Sequence, residues 1–78
     1  MKQDKNFIIV CQKLGNSIRN KREQKQISIK EMSTLTGIRT EYLRKIEFGT
    51  AYGIMFEKHL LKIANAMHLK LFELFDFW

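Results

Sequence analysis

Three residues, Ser28, Gly37 and Gly49, divide the middle of the chain into two short segments and constrain its fold more than any other feature. Ser28 is followed three residues later by a glutamate, and this S-x-x-E pattern is the capping box that begins a helix. Gly37 and Gly49 each follow an amphipathic stretch and can adopt the left-handed conformation that ends a helix. The sequence therefore predicts two short helices, over 28–36 and 39–48, joined by a tight turn.

Apolar residues recur at helical spacing on both sides of this central pair. Those within 7–18 share one face of a predicted first helix, and those within 56–67 share one face of a predicted fourth helix. No proline interrupts the chain, and strand-like alternation is confined to a few residues near its C-terminus. We therefore expect an all-α fold in a single domain over residues 1–78, with a short C-terminal aromatic segment at 69–78.

Basic residues outnumber acidic residues, 14 to 8, which gives a net charge of +6. Such an excess favours a polyanionic partner such as nucleic acid. On a helical wheel of the third helix, Leu43 and Ile46 face inward. The outward positions are mostly polar or charged, namely Thr40, Glu41, Arg44, Lys45 and Phe48. This outward face is a candidate nucleic-acid interface, and ordinary solvated surface is the alternative interpretation.

Arg22 falls at the edge of the apolar face of the first helix. An unpaired charge at such a position is costly, so we expect a buried or half-buried acid to pair with it. Glu47 falls on the inward side of the third helix.

Five blocks of the sequence resemble the phage-repressor or Cro-like family, often called XRE. They are "LGNSIRNKR", "ISIKEMSTLTGI", "YLRKIEFG", "LLKIANAM" and "LFELF", in the family's order from Leu14 to Phe75. The resemblance implies a compact five-helix bundle, a lambda-repressor-like DNA-binding domain. In such a domain helices two and three form a helix-turn-helix, and helix three enters the major groove of double-stranded DNA. The resemblance also implies that Arg22 pairs with Glu47.

In the family, base contacts come from the first turn of helix three and from one turn later. The matching positions here are Arg39, Thr40, Glu41, Arg44 and Lys45. Arginine and lysine donate to guanine, a carboxylate accepts from cytosine, and a threonine methyl can contact thymine. Phosphate contacts would come from helix one, the start of helix two and the loop after helix three. Those positions are Arg19, Ser28, Ile29, Lys30, Thr50 and Tyr52.

The residues needed for catalysis or metal binding are missing from the sequence pattern. His59 and His68 are not joined by a cysteine or carboxylate at ligand spacing, and the four glycines form no phosphate-binding loop. We therefore predict that the protein is not an enzyme, needs no metal or cofactor, and has no evident small-molecule ligand. The single cysteine, Cys11, and the lack of a long apolar run favour a cytoplasmic protein without a membrane partner.

The predicted function is sequence-specific binding of double-stranded DNA by a transcriptional regulator, most simply an operator-binding repressor. We expect a homodimer, because one such domain contacts few base pairs and selectivity usually requires two half-sites about 34 Å apart. Three aromatic residues near the C-terminus, Phe72, Phe77 and Trp78, are candidates for the dimer interface. Completion of the protomer's own core is the alternative role for them.

A protein-interaction module without DNA binding is the competing prediction. The stretch "IRTEYLRKIEFG" also resembles the cytoskeleton-binding domain of bacterial rod-shape membrane proteins. Ile29, Phe48 and the uncharged loop 50–54 favour that class, because the DNA-binding family usually has polar or basic residues there. The members of that class carry a membrane span, and this sequence contains none. An antitoxin-type partner that binds both DNA and a toxin is a third possibility.

Overall fold

Every regular element in the structure is helical. The computed structural model describes residues 5–77, and the expected all-α class is confirmed for that range. The four α-helices are α1 at Lys5–Gln24, α2 at Ile29–Thr36, α3 at Thr40–Phe48 and α4 at Leu61–Ala66. A π-helical turn at Phe56–Leu60 leads directly into α4, and a 3₁₀-helix at Leu71–Phe75 follows it. None of the described helices is long and apolar enough to cross a lipid bilayer.

The C-terminal segment is the point at which the architecture differs from the expected five-helix bundle. It forms a five-residue 3₁₀-helix, in which only Leu74 is fully buried. Runs of 3₁₀-helix are short because their hydrogen-bond geometry is poorer than that of an α-helix. Four α-helices, the π-helical turn and one 3₁₀-helix therefore make up the described fold, and the expected count of five helices is not confirmed.

A polar contact fastens the end of the chain to α1. Lys21 Nζ lies 2.6 Å from Asp76 Oδ2, and Ser17 Oγ donates to Asp76 Oδ1 at 3.2 Å. The hydrogen bond from the Lys21 ammonium holds the pKa of the Asp76 carboxyl below its usual range. The C-terminal segment therefore packs back on the first helix.

The ends of α2 and α3 follow from the residues that mark them. Ser28 Oγ accepts from the Glu31 N–H at 3.0 Å, and the Ser28 N–H donates to Glu31 Oε1 at 2.9 Å, which completes the capping box. Gly37 ends α2 with a φ of 76°, and Gly49 ends α3 with a φ of 85°. Both angles lie in the left-handed region, which glycine occupies without the strain that a Cβ atom causes.

The core is built from all four α-helices and the 3₁₀-helix. The largest side chains with almost no solvent exposure are Ile18, Met32, Leu43, Ile46, Ile63, Met67 and Leu74. Burying an aliphatic side chain of this size contributes about 1.5–3 kcal/mol. The inner face of α3 contributes Leu43 and Ile46, so the position of α3 depends on the whole core.

Helix α1 crosses the C-terminal end of α3 with backbone against backbone. A Cβ atom placed on Gly15 would lie 2.2 Å from the Ile46 carbonyl oxygen and 2.6 Å from the Glu47 carbonyl oxygen. At Gly49, which follows α3, a Cβ atom would lie 2.7 Å from Gln12 Cα. Glycine is therefore required for the spacing between the two helices at this crossing.

A buried ion pair joins the same two helices. Arg22 Nε lies 2.7 Å from Glu47 Oε2, and Arg22 Nη2 lies 3.0 Å from Glu47 Oε1, so the contact is bidentate. Arg22 Nη1 also donates to the Ile27 carbonyl at 2.8 Å, and the two side chains are only 13% and 6% exposed. The hydrogen bond to Glu47 raises the pKa of Arg22 above its usual value.

Substituting Gly15 by alanine should destabilise the protein by about 1–3 kcal/mol, because the added methyl overlaps backbone carbonyls that cannot move independently. The matched control is Gly53→Ala, where the nearest atom to an added Cβ is the Tyr42 hydroxyl oxygen at 3.7 Å. Urea denaturation measures both free energies of unfolding. Equal stabilities of the two variants would contradict the close helix crossing.

Removing one partner of the ion pair, by Arg22→Met or Glu47→Leu, should cost about 3–5 kcal/mol of unfolding free energy, because a buried charge is left unpaired. The double variant should recover much of that loss, since it buries no charge. Recovery should be incomplete because the Ile27 carbonyl loses its donor as well. A double-mutant cycle in urea measures the coupling, and additive losses would contradict a buried pair.

Candidate nucleic-acid interface

Two hydroxyl groups hold the turn between α2 and α3. Ser33 Oγ donates to the Ile38 carbonyl at 2.5 Å. The buried Thr36 Oγ1 donates to the Met32 carbonyl at 2.8 Å and accepts from the Ile38 N–H at 3.1 Å. The bonds to the Ile38 carbonyl and N–H satisfy backbone groups that the turn would otherwise leave unpaired, and they fix α3 relative to α2. Neither hydroxyl group could be assigned this role from the sequence, because Ile38 meets them only through the geometry of the turn.

The outward side of α3 is open to solvent. Its residues Thr40, Glu41, Arg44 and Lys45 form what we call the outer face. Glu41, Arg44 and Lys45 are exposed, and Thr40 is half-buried. Arg39 precedes the helix at its N-cap, is also exposed, and makes no side-chain capping bond. Because Leu43 and Ile46 occupy the core, the outer face is left available for a ligand.

The outer face combines hydrogen-bond donors with one acceptor. A hydrogen bond from its own backbone N–H lowers the pKa of the Glu41 carboxyl, as do the Thr40 hydroxyl and the charges of Arg39 and Arg44. The Thr40 hydroxyl donates to Glu41 Oε1 at 3.3 Å. Glu41 therefore stays ionised at neutral pH among cationic neighbours. Such a surface can match a pattern of donors and acceptors, whereas an all-cationic surface would attract any phosphate.

At the start of α2, the capping box already uses the backbone N–H groups of Ser28 and Glu31. The Ser28 N–H is bonded to Glu31, and that bond is the main reason why the pKa of Glu31 is lowered. Ile29 is half-buried and packs against the core. Lys30 is exposed. At this helix end the charge of Lys30 is therefore the strongest attraction for a phosphate.

The other predicted phosphate contacts lie near the C-terminal end of α3. Arg19 on α1 is exposed and lines a shallow groove together with Phe48. Thr50 is exposed, and its N–H donates to the Lys45 carbonyl at 3.0 Å. The Tyr52 ring packs against Phe7, with 6.1 Å between the ring centroids. Arg19 is therefore the cationic member of the predicted contacts in this region.

The candidate dimer residues fall into different environments. Phe72 is 71% exposed. Phe77 is half-buried, packs against the core, and its ring centroid lies 6.0 Å from that of Phe75. Trp78 lies outside the described residues. Phe72 is thus available for contact with a partner, whereas Phe77 packs within the protomer.

A second group of cations, missed in the sequence analysis, lies beside the N-terminal end of α3. Lys58, His59 and Lys62 project from the π-helical turn and α4 into a shallow concavity that Arg39 also lines. The His59 ring contacts the Tyr42 ring, with 4.9 Å between the centroids. The spacing of Lys58 and Lys62 shows that they share one side of a helix, but the sequence does not show that this side meets α3.

The comparison with known protein families agrees with this geometry. A helix-turn-helix domain family matches residues 17–52, which run from the second half of α1 through α2 and α3 into the following loop. No curated protein matches the chain. The part of the chain from residue 17 to residue 52 is therefore similar to a helix-turn-helix domain.

Proposed function

We propose that the protein binds double-stranded DNA through the outer face of α3 and regulates transcription by occupying an operator, most simply as a repressor. The observation that carries this proposal is the exposure of Glu41, Arg44 and Lys45 on a helix whose opposite side is locked into the core. The match of residues 17–52 to a helix-turn-helix domain supports it. The proposed role is binding and not catalysis.

Base contacts are assigned to α3 and its N-cap. Arg44 and Lys45 donate to guanine, Glu41 accepts from the cytosine amino group, and the Thr40 methyl contacts thymine. Arg39, at the N-cap, lies at the edge of this set. Each bidentate contact contributes about 1–3 kcal/mol of discrimination against the wrong base. Phosphate contacts are assigned to Arg19, Ser28, Ile29, Lys30, Thr50 and Tyr52.

The proposed assembly is a homodimer on two half-sites. A single α3 spans few base pairs, so two copies are needed for useful selectivity. The exposed ring of Phe72 supports an interface at the C-terminal segment, where it would be removed from water.

A protein-interaction module is the second candidate function. Phe48, at the end of α3, is 78% exposed, and Leu35 on α2 is 60% exposed. Contiguous apolar patches are typical of protein-binding surfaces, and here Phe48 and Leu35 line separate grooves, beside α1 and beside α4 respectively. Phe48 adjoins the outer face of α3, so a protein partner there would compete with DNA.

We expect Arg44→Ala and Lys45→Ala to relax the sequence preference of DNA binding, because they remove proposed base contacts. Arg19→Ala should weaken binding to all DNA sequences alike, and it should lower the slope of log affinity against log salt by about one. Selection from a random duplex pool gives the preference, and titration at several salt concentrations gives the slope. Lys70→Ala, an exposed position outside the proposed contacts, is the control. A folded sample that binds no duplex at low salt would favour the protein-interaction module.

Phe72→Ser should shift the protein towards the monomer, because the substitution removes the exposed apolar ring from the proposed interface. Phe48→Ser is the matched control, since it removes a similarly exposed aromatic ring elsewhere. Sedimentation equilibrium measures the mass of each variant. A dimer that persists in Phe72→Ser but dissociates in Phe48→Ser would place the interface at α3 and exclude simultaneous DNA binding.

A further inference from the structure

A concavity between α3 and the start of α4 collects positive charge. Arg39 and Tyr42 line it from the α3 side. Lys58, His59 and Lys62 line it from the α4 side. Neither Glu41 nor Glu57, the acidic residues next to these positions in sequence, is among the residues that line it. We call Arg39, Lys58, His59 and Lys62 the flanking cluster.

The lysines of this cluster are close together without a compensating acid. Lys58 and Lys62 are four residues apart, a spacing at which like charges on a helix repel. Within residues 5–77, neither lysine forms a side-chain hydrogen bond or ion pair, and the same is true of the Arg39 side chain. A bound anion would relieve the repulsion, so the cluster has an electrostatic preference for one.

The histidine ring is held in an orientation that leaves one nitrogen as a donor. The Met55 N–H donates to His59 Nδ1 at 2.8 Å. A neutral ring that accepts at Nδ1 carries its proton at Nε2, which can donate to an oxygen ligand. Partial burial, followed by the charges of Lys58 and Lys62, lowers the pKa of His59. An anion in the concavity would oppose the effect of those charges.

The location of the cluster indicates what the anion is. Arg39 is the N-cap of α3 and immediately precedes the outer face, so the concavity adjoins the surface assigned to base contacts. A duplex whose bases meet the outer face would have backbone phosphates on either side of it. At the opposite end of α3, Arg19 and Lys13 line a groove that Glu47 and Phe48 share, so cations lie on both flanks of the outer face.

We propose that the flanking cluster is a phosphate-binding site that holds a backbone phosphate of DNA beside the outer face of α3. Two lysines and an arginine provide the charge, and His59 Nε2 donates a hydrogen bond. The assignment to a DNA phosphate, as opposed to a free phosphate, rests on the proposed function. Arg39 stands between the two surfaces and contributes to both.

The first test compares the salt dependence of duplex binding between the natural sequence and the double variant Lys58→Gln/Lys62→Gln. The full-length chain is titrated with a mixed-sequence duplex, so that no operator need be known. The slope of log affinity against log salt should fall by about one to two. Lys5→Gln/Lys70→Gln removes the same charge from exposed positions outside the cluster and should change the slope less. Equal slopes in the two double variants would overturn the inference and leave the proposed function standing.

The second test is the pH dependence of the same binding. A phosphate beside His59 raises the pKa of the bound form above that of the free form, so binding takes up a proton at Nδ1, which then no longer accepts from the Met55 N–H. Affinity should therefore increase as pH falls from about 8 to about 5, and level off below the free pKa. His59→Asn should abolish the increase while its amide oxygen still accepts from the Met55 N–H. His68→Asn is the control, because His68 is exposed and has a φ of 56°, which asparagine tolerates.

The third measurement separates failure of the site from failure of the proposed function. Inorganic phosphate is titrated while NMR follows the His59 ring resonances. The resonances should shift in the natural sequence and stay constant in Lys58→Gln/Lys62→Gln. A shift in a folded protein that binds no duplex would refute DNA as the source of the phosphate. If the His59 resonances do not shift and the salt slope of Lys58→Gln/Lys62→Gln is unchanged, the cluster is not a phosphate-binding site.

Discussion

The crossing of α1 and α3 is the constraint on which the rest of the structure depends. Gly15 lets the two backbones touch, and the bidentate contact between Arg22 and Glu47 joins the same helices further along α1. A buried ion pair adds little net stability over an apolar pair, but a misplaced partner is strongly penalised. Glu47 lies on the same side of α3 as Leu43 and Ile46, so the ion pair favours the same rotation of α3 as the core does. That rotation places Leu43 and Ile46 in the core and leaves Arg44 and Lys45 outside.

The turn between α2 and α3 gives the second constraint on the outer face. Side-chain hydroxyls of Ser33 and Thr36 occupy the backbone groups around Ile38, so the turn has few alternative conformations. Contacts with base edges depend on positions held to a fraction of an ångström, which is easier on a fixed helix than on a loop. The polar turn and the apolar core thus serve the same purpose, since both hold α3 in one orientation.

Sequence periodicity was sufficient for the helical class, because the spacing of apolar residues and the S-x-x-E box at Ser28 are local signals. Periodicity did not predict the form of the C-terminal segment. Over only five residues, the same apolar pattern fits both a 3₁₀-helix and an α-helix. Gly15 illustrates a different limit. A glycine inside a helical pattern indicates a packing contact, but only the fold identifies its partner as the end of α3. The flanking cluster was missed for the same reason, because Lys58 and Arg39 meet only through tertiary packing.

The distribution of charge suggests a division of labour between the surfaces around α3. In the proposed complex with DNA, the Glu41 carboxylate would oppose attraction to phosphate, so it would lower affinity for any duplex while it sharpened the choice among bases. Affinity that does not depend on sequence must then come from cations away from the base edges. Arg19 lies near one end of α3, and Lys58 and Lys62 lie near the other. In that proposed complex, cations on both flanks would offset the repulsion between Glu41 and the phosphates, and they would do so without adding contacts to the base edges.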